Sequence, residues 1–130
     1  MEKLLAQLEV EEHFFDLLDT ILNRGNTLYQ QYLRFGKKFI YAEKIKENNE
    51  KVVELIRNHV YLIDPAQRDD LMSIIYHVDS WRAQWDLLYE STRPKPNDEF
   101  AFDSIVKFPK NSLERLNDYY YSSFNKKFTQ

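Results

Sequence analysis

Residues 64–90 read DPAQRDDLMSIIYHVDSWRAQWDLLYE, and within them Leu71, Ile74, Val78, Trp81, Trp85 and Leu88 fall at gaps of three, four, three, four and three residues. At 3.6 residues per turn these positions form one apolar seam along a helix, and the seam holds both tryptophans of the chain. Asp64 offers a carboxylate to the free N–H groups of the first turn, where Pro65 has no N–H to lose. The helix should stop near Ser91. Beyond it Thr92-Arg93-Pro94-Lys95-Pro96-Asn97-Asp98 carries two prolines that break helical hydrogen bonding.

Upstream, Leu4, Leu8, Phe15, Leu18 and Leu22 keep a helical spacing that predicts a first helix over 2–23, widened by Phe14, Leu17 and Ile21. Asn23-Arg24-Gly25-Asn26 reads as its end, with Gly25 free to adopt positive φ and Asn26 as the next N-cap. A second helix then starts near Thr27 with Leu28, Tyr32, Phe35, Phe39, Ala42 and Ile45 on its buried side. Gly36 inside that stripe implies a kink or a close helix contact. Asn48-Asn49 marks a soft boundary before Val52, Val53, Leu55, Ile56 and Val60, with one long helix to about Asn58 as the alternative. Downstream, Phe100, Phe102, Ile105 and Phe108 predict an ordered, irregular aromatic strap over 100–110 that re-enters the core. Asn111 with Glu114 resembles a capping box, and Leu113, Leu116, Tyr120 and Phe124 define a last helix.

Composition narrows the classes of function. The 130 residues are 43% hydrophobic and 30% charged, enough for one soluble domain with one core. Two glycines and four prolines are too few turn residues for a many-stranded fold. A net charge of −3 argues against coating nucleic acid or an anionic membrane, and the lack of cysteine removes disulfides, thiolate nucleophiles and sulfur-ligated metals. Acids through MEKLLAQLEVEEHFFDLL interrupt any signal-peptide core, and no uncharged run spans a bilayer, so the expected setting is cytoplasmic, with no membrane contact.

No strong catalytic motif is present, and no catalytic or metal-ligating residue is assigned. His13, His59 and His77 lack the Glu-x-x-His pairs of a helical di-metal site, and there is neither a nucleophile elbow nor a phosphate-binding glycine loop. No cofactor is implied. Three weaker groupings stand out. His77, Trp81, Arg82 and Trp85 lie close together along the seam helix and could line a ligand pocket with an apolar wall, although a structural histidine that hydrogen-bonds a neighbouring helix is the simpler reading of His77. Arg34, Lys37, Lys38 and Lys44 interleave with Tyr41 at helical spacing, a pattern suited to a polyanion. Glu43, Glu47, Glu50 and Glu54 follow directly and dilute it, making nucleic acid an improbable partner. Tyr119, Tyr120 and Tyr121 cannot all face inward from one helix, so Tyr121 or Tyr119, with Tyr41, could form a contact surface for a protein.

Residues 49–108, in particular NHVYLIDPAQRDDLMSIIYHVDSWRAQWDLL and PNDEFAFDSIVKFP, resemble a recurring helical segment of small uncharacterised bacterial proteins, including products of mobile elements such as integron gene cassettes. The shared features are the helix start, the His-Val-Asp-x-Trp stretch and the aromatic strap. The resemblance implies no activity and no site residues. The sequence therefore predicts a single all-α bundle of four or five helices with the seam helix central. Its expected role is a non-enzymatic module that binds a protein partner or a second copy of itself, with a small-molecule pocket at His77, Trp81, Arg82 and Trp85 as the alternative. Whether Trp81 and Trp85 are both covered within one chain separates a closed bundle from an interface.

Overall fold

The predicted seam helix spans Pro65–Thr92 (α3), and its start is built as the sequence implies. The Asp64 carboxylate accepts from the Ala66 N–H at 2.9 Å with Pro65 in the first turn. At the other end Arg93 takes the left-handed conformation (φ 42°) and its N–H bonds to the Tyr89 carbonyl at 2.8 Å. Around it stand α1 (Glu2–Arg34), α2 (Phe39–His59), a 3₁₀ turn at Val60–Leu62, and α4 (Lys110–Phe124). The computed structural model describes residues 2–129, with side chains from Leu5 onward, so Leu4 of the first stripe lies outside the described side chains. All four helices belong to one all-α bundle, and no strand occurs among the described residues.

Two of the boundaries expected from sequence are absent for a single reason. The first helix does not stop at Asn23-Arg24-Gly25-Asn26 but runs on to Arg34, and Asn48-Asn49 lies inside α2. Gly25 and Asn48 face each other where α1 and α2 pack together. A Cβ on Gly25 would sit 2.8 Å from Asn48 Nδ2, and that Nδ2 donates to the Ile21 carbonyl at 3.1 Å from a side chain almost wholly buried. The glycine provides close approach, not a turn. Gly25→Ala should therefore lose about 1–2 kcal/mol of stability despite alanine's helix propensity, because it displaces Asn48 from a buried hydrogen bond. In an Asn48→Ala background the same change should become stabilising, and urea denaturation of the four proteins measures the reversal.

The real reversal comes at Gly36. It has φ +88°, Lys37 follows at φ 54°, and the Lys37 N–H reaches back to the Tyr32 carbonyl at 2.7 Å, the six-to-one bond of a Schellman turn. Gly36 thus closes α1 instead of kinking a second helix, and Phe35, expected on the buried stripe, is left exposed. The first N–H groups of α2 receive no side-chain cap. Phe39 and Ile40 donate instead to the carbonyls of Asp98 (2.8 Å) and Pro96 (3.0 Å), so the proline loop caps the helix from a distance in sequence.

The main core gathers Phe14, Phe15 and Leu18 of α1, Val52 and Ile56 of α2, Leu71, Ile74 and Val78 of α3, and Leu116 and Tyr120 of α4. A smaller core near the α1–α2 turn joins Phe39, Ala42, Trp85 and Phe100. After the loop the strap runs back along α3. Phe100 packs on Trp85 (5.0 Å between ring centres) and Phe102 on Trp81 (5.8 Å). Ile105, expected to re-enter the core, is 82% exposed. In extended chain alternate residues face opposite ways, and Ile105 falls on the outward phase. The capping box at Asn111 and Glu114 does not form: α4 begins at Lys110, with Pro109 at the cap position and the Leu113 N–H bonded to the Pro109 carbonyl. Past α4 the chain turns at Asn125 and lies on α1, where the Thr129 N–H bonds to Asp19 Oδ1 at 2.6 Å and Lys126 pairs with Asp16 at 3.0 Å.

Candidate functional site on helix α3

Helix α3 meets a different neighbour on each side, and this divides the residues singled out from sequence. Toward α2 it leaves an open groove of about 400 Å³ whose floor is Val53, Val78 and Trp81. Two ion pairs bridge the groove from helix to helix, Arg57 with Asp79 at 3.3 Å and Arg82 with Glu50, and Arg82 also bonds Asp86 at 3.0 Å on its own helix. These pairs are exposed and contribute little to stability, but they leave the groove's rim balanced in charge.

Of the expected pocket residues only Trp81 and Arg82 line that groove. Trp85 is 3% exposed, donates from Nε1 to the Ala42 carbonyl at 3.3 Å, and lies under Lys46 Nζ at 4.3 Å. His77 is on the strap side, where its Nδ1 meets the Val106 carbonyl at 2.8 Å and its ring stands edge-on to Phe108. It anchors the strap. The four residues do not form one pocket because His77 and Arg82 flank the seam on opposite sides, about 140° apart around the helix axis, and the strap covers one flank while α2 faces the other.

The basic group is also divided. Arg34 ends α1, Lys37 and Lys38 form the turn, and Lys44 is on α2, so no single helix face carries them. Arg34 lies over the Phe35 ring and Lys44 over Tyr41, while Tyr41 stacks on Phe35 at 5.6 Å. Of the tyrosine run, Tyr121 faces solvent, whereas Tyr119 and Tyr120 turn their hydroxyls inward to donate to Glu11 and Asp16. Glu11 was not foreseen as a buried residue. It accepts from Gln7 Nε2 (2.9 Å), the Asp64 N–H (3.3 Å) and Tyr119, and so ties α1 to the start of α3 and to α4. Among the described residues no cluster of histidine and carboxylate side chains is arranged to hold a metal ion.

Burial, reinforced by Tyr29 and Glu99, pushes the Tyr32 hydroxyl up to about 12, and it donates to the Phe100 carbonyl at 2.5 Å. Burial and then the hydrogen bonds to Glu11 and Asp16 push Tyr119 and Tyr120 upward as well. A hydroxyl whose folded value lies above its unfolded value stabilises the fold fully below the unfolded value and loses that contribution above it. Stability should therefore fall as the pH rises from 10 toward about 12. Urea midpoints across that range check it, and Tyr32→Phe should flatten part of the decline.

The side of α3 opposite the core was passed over in sequence. Met72, Tyr76, Ser80, Ala83 and Leu87 recur every three or four residues there, and Met72 is 47%, Tyr76 70% and Leu87 73% exposed, with Ala83 also exposed. The first charged residues along this line are Asp69 and Glu90, beyond its two ends, while the exposed Asp79 and Asp86 flank it on the α2 side. Beside it, the Gln84 amide bridges the strap, donating to the Asp103 carbonyl (2.8 Å) and accepting from the Ile105 N–H (2.9 Å), which sets the exposed Ile105 at the margin of the stripe. With apolar residues on two opposite faces, α3 is the least amphipathic of the four helices. Comparison with family models, with curated proteins and with solved structures found no match. Any role for this face rests on its own geometry. No helix among the described residues is long and apolar enough to cross a membrane.

Proposed function

We propose that this chain is a non-enzymatic helical interaction module that docks a protein partner on the outer face of α3. The observation that carries the reading is the uncharged stripe from Met72 to Leu87, set against a helix whose opposite face already fills the core. Isolated exposed apolar residues are ordinary on a protein surface, but a contiguous uncharged row along one helix is a feature of docking faces. Hydrating it costs about 25 cal/mol for each Å² left open, a driving force for any partner that covers it.

A photo-crosslinking residue at position 76 or 87, introduced in the native host, tests the proposal. Adducts should form at both positions and not at Lys51 on the exposed side of α2. Their absence would remove the reading. A second reading, small-molecule binding in the α2–α3 groove, draws on the half-buried ring of Trp81 beside Val53 and Val78. Its test is Trp81 emission in a Trp85→Phe background. A ligand screen that leaves this emission unmoved would dismiss it.

A further inference from the structure

Resting on the docking face just proposed, we infer that its partner is a second copy of this chain, paired through antiparallel α3 helices about a two-fold axis between Asp79 and Ser80. A two-fold interface must complement itself, since each contact between one residue and another occurs twice. Four of the stripe's five positions meet that condition, and the fifth, Ser80, falls opposite Asp79 of the second copy. Met72 lies as far before the axis as Leu87 lies after it, and Tyr76 as far before it as Ala83 after it. Each copy would therefore set its Tyr76 ring over the partner helix at Ala83, where the side chain is a single methyl, and its Met72 against Leu87. Ser80, beside the axis, is also small, so the helices can approach to about 8 Å, the lower end of ordinary helix packing.

The area is sufficient. Taking roughly 200 Å² for a fully exposed large side chain, Met72, Tyr76 and Leu87 present about 380 Å² on each copy and Ile105 at the margin adds about 160 Å², so pairing that covers all four removes up to about 1,000 Å² in total, the threshold of a specific interface. The Met72–Leu87 row is about 22 Å long at 1.5 Å per residue, and no charged side chain interrupts its line. Like charges would approach at its ends, Asp69 toward Glu90 of the second copy, and beside the axis, where the two Asp79 carboxylates meet; Glu90 is already matched by Arg93 at 2.6 Å and Asp79 by Arg57 at 3.3 Å. Added salt should consequently tighten the dimer, whereas an association held by ion pairs would loosen.

Because the chain has no cysteine, single engineered thiols report the register without background. Purified Ser80→Cys should form a disulfide-linked dimer under mild oxidation. Met72→Cys alone should not, because its two copies lie about 22 Å apart in this register, but an equimolar mixture with Leu87→Cys should. Sedimentation of the unmodified protein should give a dimer at micromolar concentration, and Ala83→Glu should weaken it about 100-fold or more while leaving the helical circular dichroism intact. A monomer at every concentration, or Met72→Cys joining to itself, overturns the inference. Crosslinked adducts in the host that contain a different protein, alongside a monomer in vitro, would overturn the homodimer and keep the docking face. No adducts and no dimer would end both.

Discussion

Replacing Trp85 with alanine is expected to cost about 3–5 kcal/mol of folding stability, the largest loss available in the smaller core. The ring is 3% exposed and stacks on Tyr89 at 5.4 Å, with Phe39 at 5.7 Å and Phe100 at 5.0 Å around it. These neighbours come from α2, α3 and the strap, so truncation leaves a space that no single element can close by a small shift. A domain of this size stands only about 5–15 kcal/mol above its unfolded state, and the expected loss lowers Tm by about 10–20 °C. Trp81→Ala provides the contrast. That ring is half-buried at the groove and touches the strap through Phe102, so its loss should cost about 1–2 kcal/mol. Urea denaturation of both variants decides the matter, and equal losses would contradict the burial of Trp85.

Phe15→Ala should be as severe in the main core, at about 3–5 kcal/mol. Phe15 is fully buried and stacks on Tyr120 at 5.5 Å, with Phe14, Tyr119 and Phe128 completing its surroundings. Few other side chains connect α1 to both α4 and the C-terminal tail. Loss of the ring should therefore also release residues 125–129 from α1, although their polar links from Thr129 to Asp19 and Lys126 to Asp16 remain chemically intact. Amide exchange at Phe128, whose N–H bonds to Asn117 Oδ1 at 2.9 Å, reads that release directly. Protection retained there in the variant would place the tail's anchor in its polar contacts.

The parts of the fold legible in the sequence were those governed by local chemistry. Asp64-Pro65 gave the start of α3, the two prolines gave its end, and periodicity gave Leu71, Ile74, Val78 and Trp85 as core residues. Gly25 and Asn48 were misread because each has two physical uses. Glycine permits a left-handed turn or a close approach, and asparagine caps a helix or donates to a neighbouring backbone, and only the partner 23 residues away distinguishes them. The candidate pocket failed for a related reason. Proximity along α3 placed His77, Trp81, Arg82 and Trp85 within a few turns, but the strap claimed His77 and the second core claimed Trp85. The outer stripe was present in the sequence at helical spacing all along. It was obscured by the stronger seam on the same helix, since two apolar faces on one cylinder weaken the contrast that periodicity detects.

The capping of α2 by the carbonyls of Pro96 and Asp98 has a consequence for synthesis on the ribosome. Phe39 and Ile40 leave the exit tunnel about 60 residues ahead of the segment that satisfies their N–H groups and covers Phe39 with Phe100. At ordinary elongation rates that interval is about 3–12 s. Throughout it the nascent α1–α2 hairpin carries a frayed helix start and an uncovered aromatic surface, so the last third of the chain completes the first two helices and does not merely add to them.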